Sequence, residues 1–212
     1  MKFRLFAAAV LLSAVTLTAG AQDDAPAAAT PAVPSPYRND MGLYLVPVFT
    51  YVHNSESDTG PFAFLGEGKN SQWFRGAAIG FQDDFYHSEA NNWGMDMRLT
   101  LERGNGAALD TFLLGVRYVR TLDGSKVRPF AELLGGVGGT AAAHNPHRVS
   151  RPMFQASAGA DYPLFKHLDW RVAEVSYSQV RTVGADSFLG NDVLNRPSAM
   201  TIGVGSGLVL RF

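Results

Sequence analysis

The last thirteen residues, Met200 to Phe212, constrain the fold more than any other stretch of the chain. Counting back in steps of two gives Phe212, Leu210, Leu208, Ser206, Val204 and Ile202, a set that is apolar except for one serine. The alternate set is Arg211, Val209, Gly207, Gly205, Gly203 and Thr201, which is small or polar except for one valine. Successive side chains of a strand point to opposite faces. The segment therefore reads as a strand with one greasy face and one small or charged face, ending on an aromatic residue.

The amino terminus reads as a secretory signal. Lys2 and Arg4 form a charged start, Leu5 to Leu17 a short apolar core, and Ala19-Gly20-Ala21 a small-residue cleavage site. The core is too short and wrongly flanked for a lasting membrane helix. Residues 22–40, rich in Ala and Pro and without apolar period, read as a flexible or extended periplasmic lead-in. About 170 residues, 41–212, remain for one domain. With Lys2 and Arg4 set aside, 16 basic residues face 19 acidic ones, a net charge of −3 that makes no electrostatic case for nucleic acid. The absence of cysteine excludes a lipoprotein anchor, disulfides and thiolate metal sites.

Between residue 41 and the end, apolar residues recur with period two between loop signals. This predicts eight strands at about 42–53, 73–83, 92–103, 109–121, 126–140, 152–165, 168–180 and 199–212. Each supplies the roughly 9–11 residues that a tilted strand needs to cross a bilayer. In the third, Trp93, Met95, Met97, Leu99 and Leu101 alternate with Gly94, Asp96, Arg98, Thr100 and Glu102. The seventh breaks the period, because Arg171 and Glu174 are three apart and Val172 and Ala173 are both apolar. A single bulge would return Glu174 to the face of Arg171. Long polar links near 54–72, 141–151 and 181–198 alternate with tight ones at 122–125 and 166–167. That pattern fits a barrel with both termini in the periplasm. The 84–91 turn is longer than it should be on that side, and the 104–108 loop shorter than its outer neighbours. The fold expected is all-β: an eight-stranded antiparallel up-and-down transmembrane β-barrel.

If the apolar faces meet lipid, the other faces form the lumen. The inward charges are then Asp96, Glu102, Glu132, Asp161 and Glu174 with Arg98, Arg117, Arg128, Arg171 and Arg211. Five acids and five bases in an eight-stranded barrel, just wide enough to be filled by its own side chains, should pair. Glu132 and Glu174 are expected nearest to Arg128, Arg171 and Arg117, with inward glycines such as Gly76, Gly80 and Gly136 making room for the long arginines. A salt-bridged plug is expected over an open pore. Aromatics gather at both predicted rims, among them Trp93, Tyr118 and Trp170 at one and Tyr51, Trp73 and Phe154 at the other.

Several segments are similar to the small outer-membrane β-barrel family related to the OmpA transmembrane domain. They are Thr111-Phe-Leu-Leu-Gly-Val-Arg-Tyr118, Val127-Arg-Pro-Phe-Ala-Glu-Leu-Leu-Gly-Gly136, Ala158-Gly-Ala-Asp-Tyr162 and Trp170-Arg-Val-Ala-Glu-Val-Ser-Tyr177, in that order. The resemblance spans roughly Gly42 to Phe212. It implies a barrel in the bacterial outer membrane, in contact with outer-membrane lipid. It also implies that the closing strand, through Leu208, Leu210 and Phe212, is read by the barrel-assembly machinery. It does not imply one activity, because members serve as scaffolds, adhesins, receptors or narrow pores. The peptidoglycan-binding domain of longer relatives is not expected here.

No constellation argues for chemistry. Tyr86-His87-Ser88-Glu89 has the residue types of a hydrolase triad, but adjacent residues point apart and the segment lies at the periplasmic turn. His144 and His147 flank a proline and read as loop histidines rather than metal ligands. The run Ser55 to Gly60 lacks a calcium-loop pattern, and Gly66-Glu67-Gly68-Lys69 lacks the strand-to-helix setting of a phosphate loop. No catalytic, cofactor or metal residue is expected. The function expected is that of an envelope structural or surface-interaction barrel whose outer loops, read as mobile and polar, meet an unknown surface ligand. The alternative is a small channel gated by the arginine–carboxylate network, with a lipid-modifying enzyme a distant third.

Overall fold

The computed structural model describes residues 41–57, 63–88, 90–143, 148–182 and 199–212. The signal-like segment 1–21 with Ala19 and Ala21, the lead-in 22–40, Glu89, His144, His147 and loop 183–198 lie outside the described residues.

Period-two patterning and β-branched or aromatic residues make strands wherever the alternation was read. They are β1 (Met41–His53), β2 (Ser71–His87), β3 (Asn91–Gly104), β4 (Ala107–Arg120), β5 (Arg128–Ala141), β6 (Arg148–Phe165), β7 (Leu168–Val180) and β8 (Ala199–Arg211). Each pairs antiparallel with its neighbour in sequence, and β1 also pairs with β8, so the sheet closes into a barrel with no free edge. The shortest strand has 13 residues and the longest 18. Closure ends at the last residue, where the Phe212 amide donates to the Met41 carbonyl at 3.1 Å.

The two faces are inverted relative to a water-soluble protein. Leu43, Leu45, Ile79, Met97, Leu99, Leu114, Val116, Leu133, Leu208 and Leu210 stand exposed on the outside, while Asp96, Arg98, Arg117, Glu132, Asp161 and Arg171 are buried inside. Outward aromatics pair across neighbouring strands at both ends. Tyr51 and Trp73 meet with ring centroids 5.2 Å apart near the long loops, and Trp93 and Tyr118 at 4.9 Å near the tight turns.

The β7 bulge is present. Arg171 faces Gly207 and Glu174 faces Gly205, so three residues on β7 span two on β8. Arg171 and Glu174 are both buried, and Val172 and Ala173 both exposed. Ser206, the one polar member of the greasy face of β8, lies across this bulge. Its hydroxyl donates to the Arg171 carbonyl at 3.0 Å and accepts from the Trp170 indole at 3.1 Å. Backbone polar groups on a lipid-facing wall must find partners within the protein, and the serine provides one where the ladder is interrupted.

Two expectations about the connections need correction. The long 84–91 turn is instead mostly strand: β2 runs to His87, with a second bulge at Asp84/Tyr86. The remaining turn is tight, because Ser88 Oγ donates to the Asn91 carbonyl at 2.9 Å and accepts from the Asn91 amide at 3.1 Å. Ser88 is thus a turn cap, which accounts for the hydroxyl in the triad-like run. Finally, the β1–β2 loop is not wholly a polar surface loop. Its Ala63-Phe64-Leu65 segment folds into the barrel mouth, with Phe64 at 1% and Leu65 at 0% exposure. Asn54 N to Asn70 O at 2.8 Å closes the loop base, and Gly66, at φ 96°, makes the left-handed turn that brings the chain back out.

Candidate functional site in the barrel interior

The inward face of the strands builds three layers. At the end with the tight turns lies a network of charge. Arg171 on β7 is at its centre and is fully buried. Its Nε donates to Asp161 at 3.0 Å, Nη1 to Glu174 at 2.9 Å and Nη2 to the Gln82 side-chain carbonyl at 2.9 Å. Arg117, also fully buried, donates to Glu132 and, at 2.8 Å, to the second oxygen of Asp161. Arg98 donates to both oxygens of Glu174 and, at 2.9 Å, to Glu132. Its Nε donates to the Tyr44 hydroxyl at 2.9 Å, and that hydroxyl donates to Asp96 at 2.8 Å. Nearer the turns, Asp169 accepts from both Arg128 and Arg211, and Arg211 approaches Asp161 at 3.6 Å and Asp84 at 3.8 Å.

Two aromatic rings thread this network. The guanidinium carbon of Arg171 lies 4.6 Å from the Tyr44 ring centre and 4.5 Å from that of Phe130, and Arg117 lies 4.0 Å from Phe130. Guanidinium groups stack on such faces. Glycines make room for the rings. A Cβ on Gly80 would fall 2.3 Å from the Tyr44 ring and one on Gly159 2.6 Å from Phe130. The expectation that inward glycines accommodate the arginines is therefore corrected at Gly80, where the space goes to the tyrosine that the arginine stacks upon.

Above the network is a small polar chamber of about 30 Å³, room for about two water molecules. Thr50, Thr100, Thr111, Ser178 and Thr201 line it, with Arg98 and Glu174 as its floor. Glu102 borders it and, contrary to the expectation of general pairing, has no ion pair among the described residues. It bonds instead to Thr50. Above the chamber, towards the long loops, the interior turns apolar. Val52, Phe74, Leu109, Leu113, Leu134, Met153 and Val180 from the strands pack with Phe64 and Leu65 of the infolded loop. Phe64 and Phe74 stack at 5.1 Å. Burying Phe64 and Leu65 contributes roughly 1.5–3 kcal/mol each.

The ten charged residues expected in the lumen thus all lie on the inward face, but their partners differ in part. Glu132 and Glu174 lie beside Arg117 and Arg171 as expected, each shared with Arg98. Arg128 does not meet them; it pairs with Asp169. Sequence reasoning missed Tyr44, Gln82, Asp84, Phe130 and Asp169 as members. Alternation could have found Asp169, two residues before Arg171, and Phe130, two before Glu132. Asp84 was hidden by the assumption of a turn there. Leu208, Leu210 and Phe212 all face outward on the wall, away from this interior.

No family model and no curated protein sequence matches the chain. Solved structures do. Neisserial surface protein A, NspA, is 9% identical with a TM-score of 0.51, over 82% of this chain and 97% of that one. The outer membrane protein OprG from Pseudomonas aeruginosa is 14% identical with a TM-score of 0.46, over 83% and 98%. Ail, the attachment invasion locus protein of Yersinia pestis, is 11% identical with a TM-score of 0.45, over 80% and 97%. At such identity the likeness concerns the fold: eight antiparallel strands closed into a ring, the architecture of the small outer-membrane β-barrel proteins.

Proposed function

We propose that this chain is a bacterial outer-membrane barrel with a closed lumen. In this reading it serves the envelope as a structural or surface-interaction component, akin to the OmpA transmembrane domain, and performs no catalysis. The outward wall of leucine, isoleucine, methionine and valine supports residence in lipid, since a face of that size is not left in water. The signal-like start supports export with cleavage after Ala21. The outward Leu208, Leu210 and Phe212 support recognition of the closing strand by the barrel-assembly machinery.

The observation that carries the closed-lumen reading is the succession of obstructions inside. A solute would first meet the Phe64–Leu65 cap and its apolar neighbours, then the ion-paired layer around Arg171. Passing through either requires separating packed apolar groups or buried ion pairs, and breaking one such pair costs about 3–5 kcal/mol. Interaction with the outside is then left to the loops between β1 and β2, β5 and β6, and β7 and β8.

Incorporation into planar bilayers is the test. Little or no conductance is expected. Large, steady, ion-selective channels would overturn the reading in favour of a small-solute pore. Mass spectrometry of purified envelopes checks location: a chain found in the soluble fraction, or one starting at Met1, would end the outer-membrane reading.

A further inference from the structure

Near the loop end, three arginines and one aspartate gather on the outward face of β2 to β6. Arg75 on β2 and Arg103 on β3 are register partners. Asp110 on β4 accepts from Arg103 at 2.5 Å through one oxygen and from Arg148 of β6 through the other. Arg148 reaches it across β5 over the bare backbone of Gly139, where a Cβ would lie 3.4 Å from the arginine stem.

One carboxylate between two guanidiniums leaves a net positive charge. Arg75, itself exposed, adds another and has no ion pair among the described residues. Although paired, Arg103 and Arg148 keep 54% and 46% of their side chains exposed. Each guanidinium carries five donors, and among the described residues both arginines donate through Nη1 alone. Stability does not call for this arrangement. Exposed ion pairs contribute little, and one arginine would neutralise Asp110.

Position selects the ligand. Arg103 follows Leu101 by two residues on the same face, and Arg75 is the register partner of Phe49 and stands two residues from Trp73. The charge therefore sits at the upper edge of the greasy band, within the aromatic belt, and not on the loop tips where a soluble polyanion would meet it first. A partner fitting this place has anionic oxygens at the interface and acyl chains lying on the band below. Arginine forks match phosphate oxygens, and long basic side chains lift their heads to this level while their stems stay in the apolar layer.

We infer that Arg75, Arg103 and Arg148 bind the phosphate groups of a phosphorylated glycolipid in the outer leaflet. This rests on the outer-membrane reading above, with the loop end outside. The test uses the refolded chain in phosphatidylcholine vesicles containing either diphosphorylated lipid A or its dephosphorylated form, with retained lipid read by native mass spectrometry. The parent should favour the diphosphorylated form by about tenfold or more. R75Q/R103Q/R148Q should fold with unchanged heat-modifiable mobility and lose the preference. Adding D110N prevents Asp110 from being left alone and should give the same result. Equal retention of both lipids by the parent, or a preference surviving in the four-site variant, overturns the lipid site while leaving the membrane reading intact. A chain that inserts into neither vesicle overturns both.

Discussion

At the scale of single residues, the interior separates charges that are held from a charge that is merely enclosed. Arg171 touches Asp161, Glu174 and Gln82 and stacks on two rings, so its removal takes one partner from each of two buried carboxylates. Arg171→Met is expected to lower unfolding stability by about 3–5 kcal/mol, measured by denaturant titration of the barrel in vesicles. Glu102 has no such partner among the described residues, and Glu102→Gln is expected to cost less than about 1 kcal/mol. Equal losses in both variants would show that pairing is not what stabilises the layer. Ser206 makes the opposite case on the outer wall. Ser206→Ala makes the lipid face greasier yet removes the partner of the Arg171 carbonyl and the Trp170 indole. It is expected to destabilise by about 1–3 kcal/mol, and a neutral or stabilising result in the same titration would refute this account.

At the scale of elements, a departure from regularity in β7 positions the interior charges. The β7 bulge keeps Arg171 and Glu174 on one face; without it one of them would point at lipid, a cost of about 2–4 kcal/mol for a base at the midplane. The closing strand carries a different demand. Phe212 contributes one backbone bond to β1, at 3.1 Å, and a side chain that faces outward. Deleting it should therefore cost the finished barrel little more than the roughly 0.5–1.5 kcal/mol of a hydrogen bond. If the strand end is read during assembly, the deletion should instead cut the amount of folded protein in the outer membrane severely. Heat-modifiable mobility of isolated envelopes distinguishes the two, and normal accumulation would refute the assembly role.

At the scale of the whole molecule, closure is built twice. The apolar cap at the loop end and the ionic layer at the turn end are separated by the small chamber of about 30 Å³. Removing one should leave the other in place. Glu132→Ala, which strips Arg98 and Arg117 of a shared partner, is expected to lower stability without opening a leak. F64A/L65A is likewise expected to stay closed. The combination of all three changes should show new conductance in planar bilayers. A leak from Glu132→Ala alone would mean that the cap seals nothing.

The period-two pattern by itself determined the eight strands, their faces and the inward placement of all ten charged residues. Alternation is a local property: each strand carries its own face assignment in its own residues. The β7 bulge was legible for the same reason, because Arg171 and Glu174 could not otherwise share a face. What only the tertiary structure decided depends on distances across the lumen. Which carboxylate meets which arginine follows from strand stagger around the ring, so Arg128 finds Asp169 rather than Glu132, and Glu102 finds no arginine among the described residues. The fate of Phe64 and Leu65 was equally hidden. In a loop they read as two apolar residues among polar ones, and only the closed ring creates the apolar mouth that buries them.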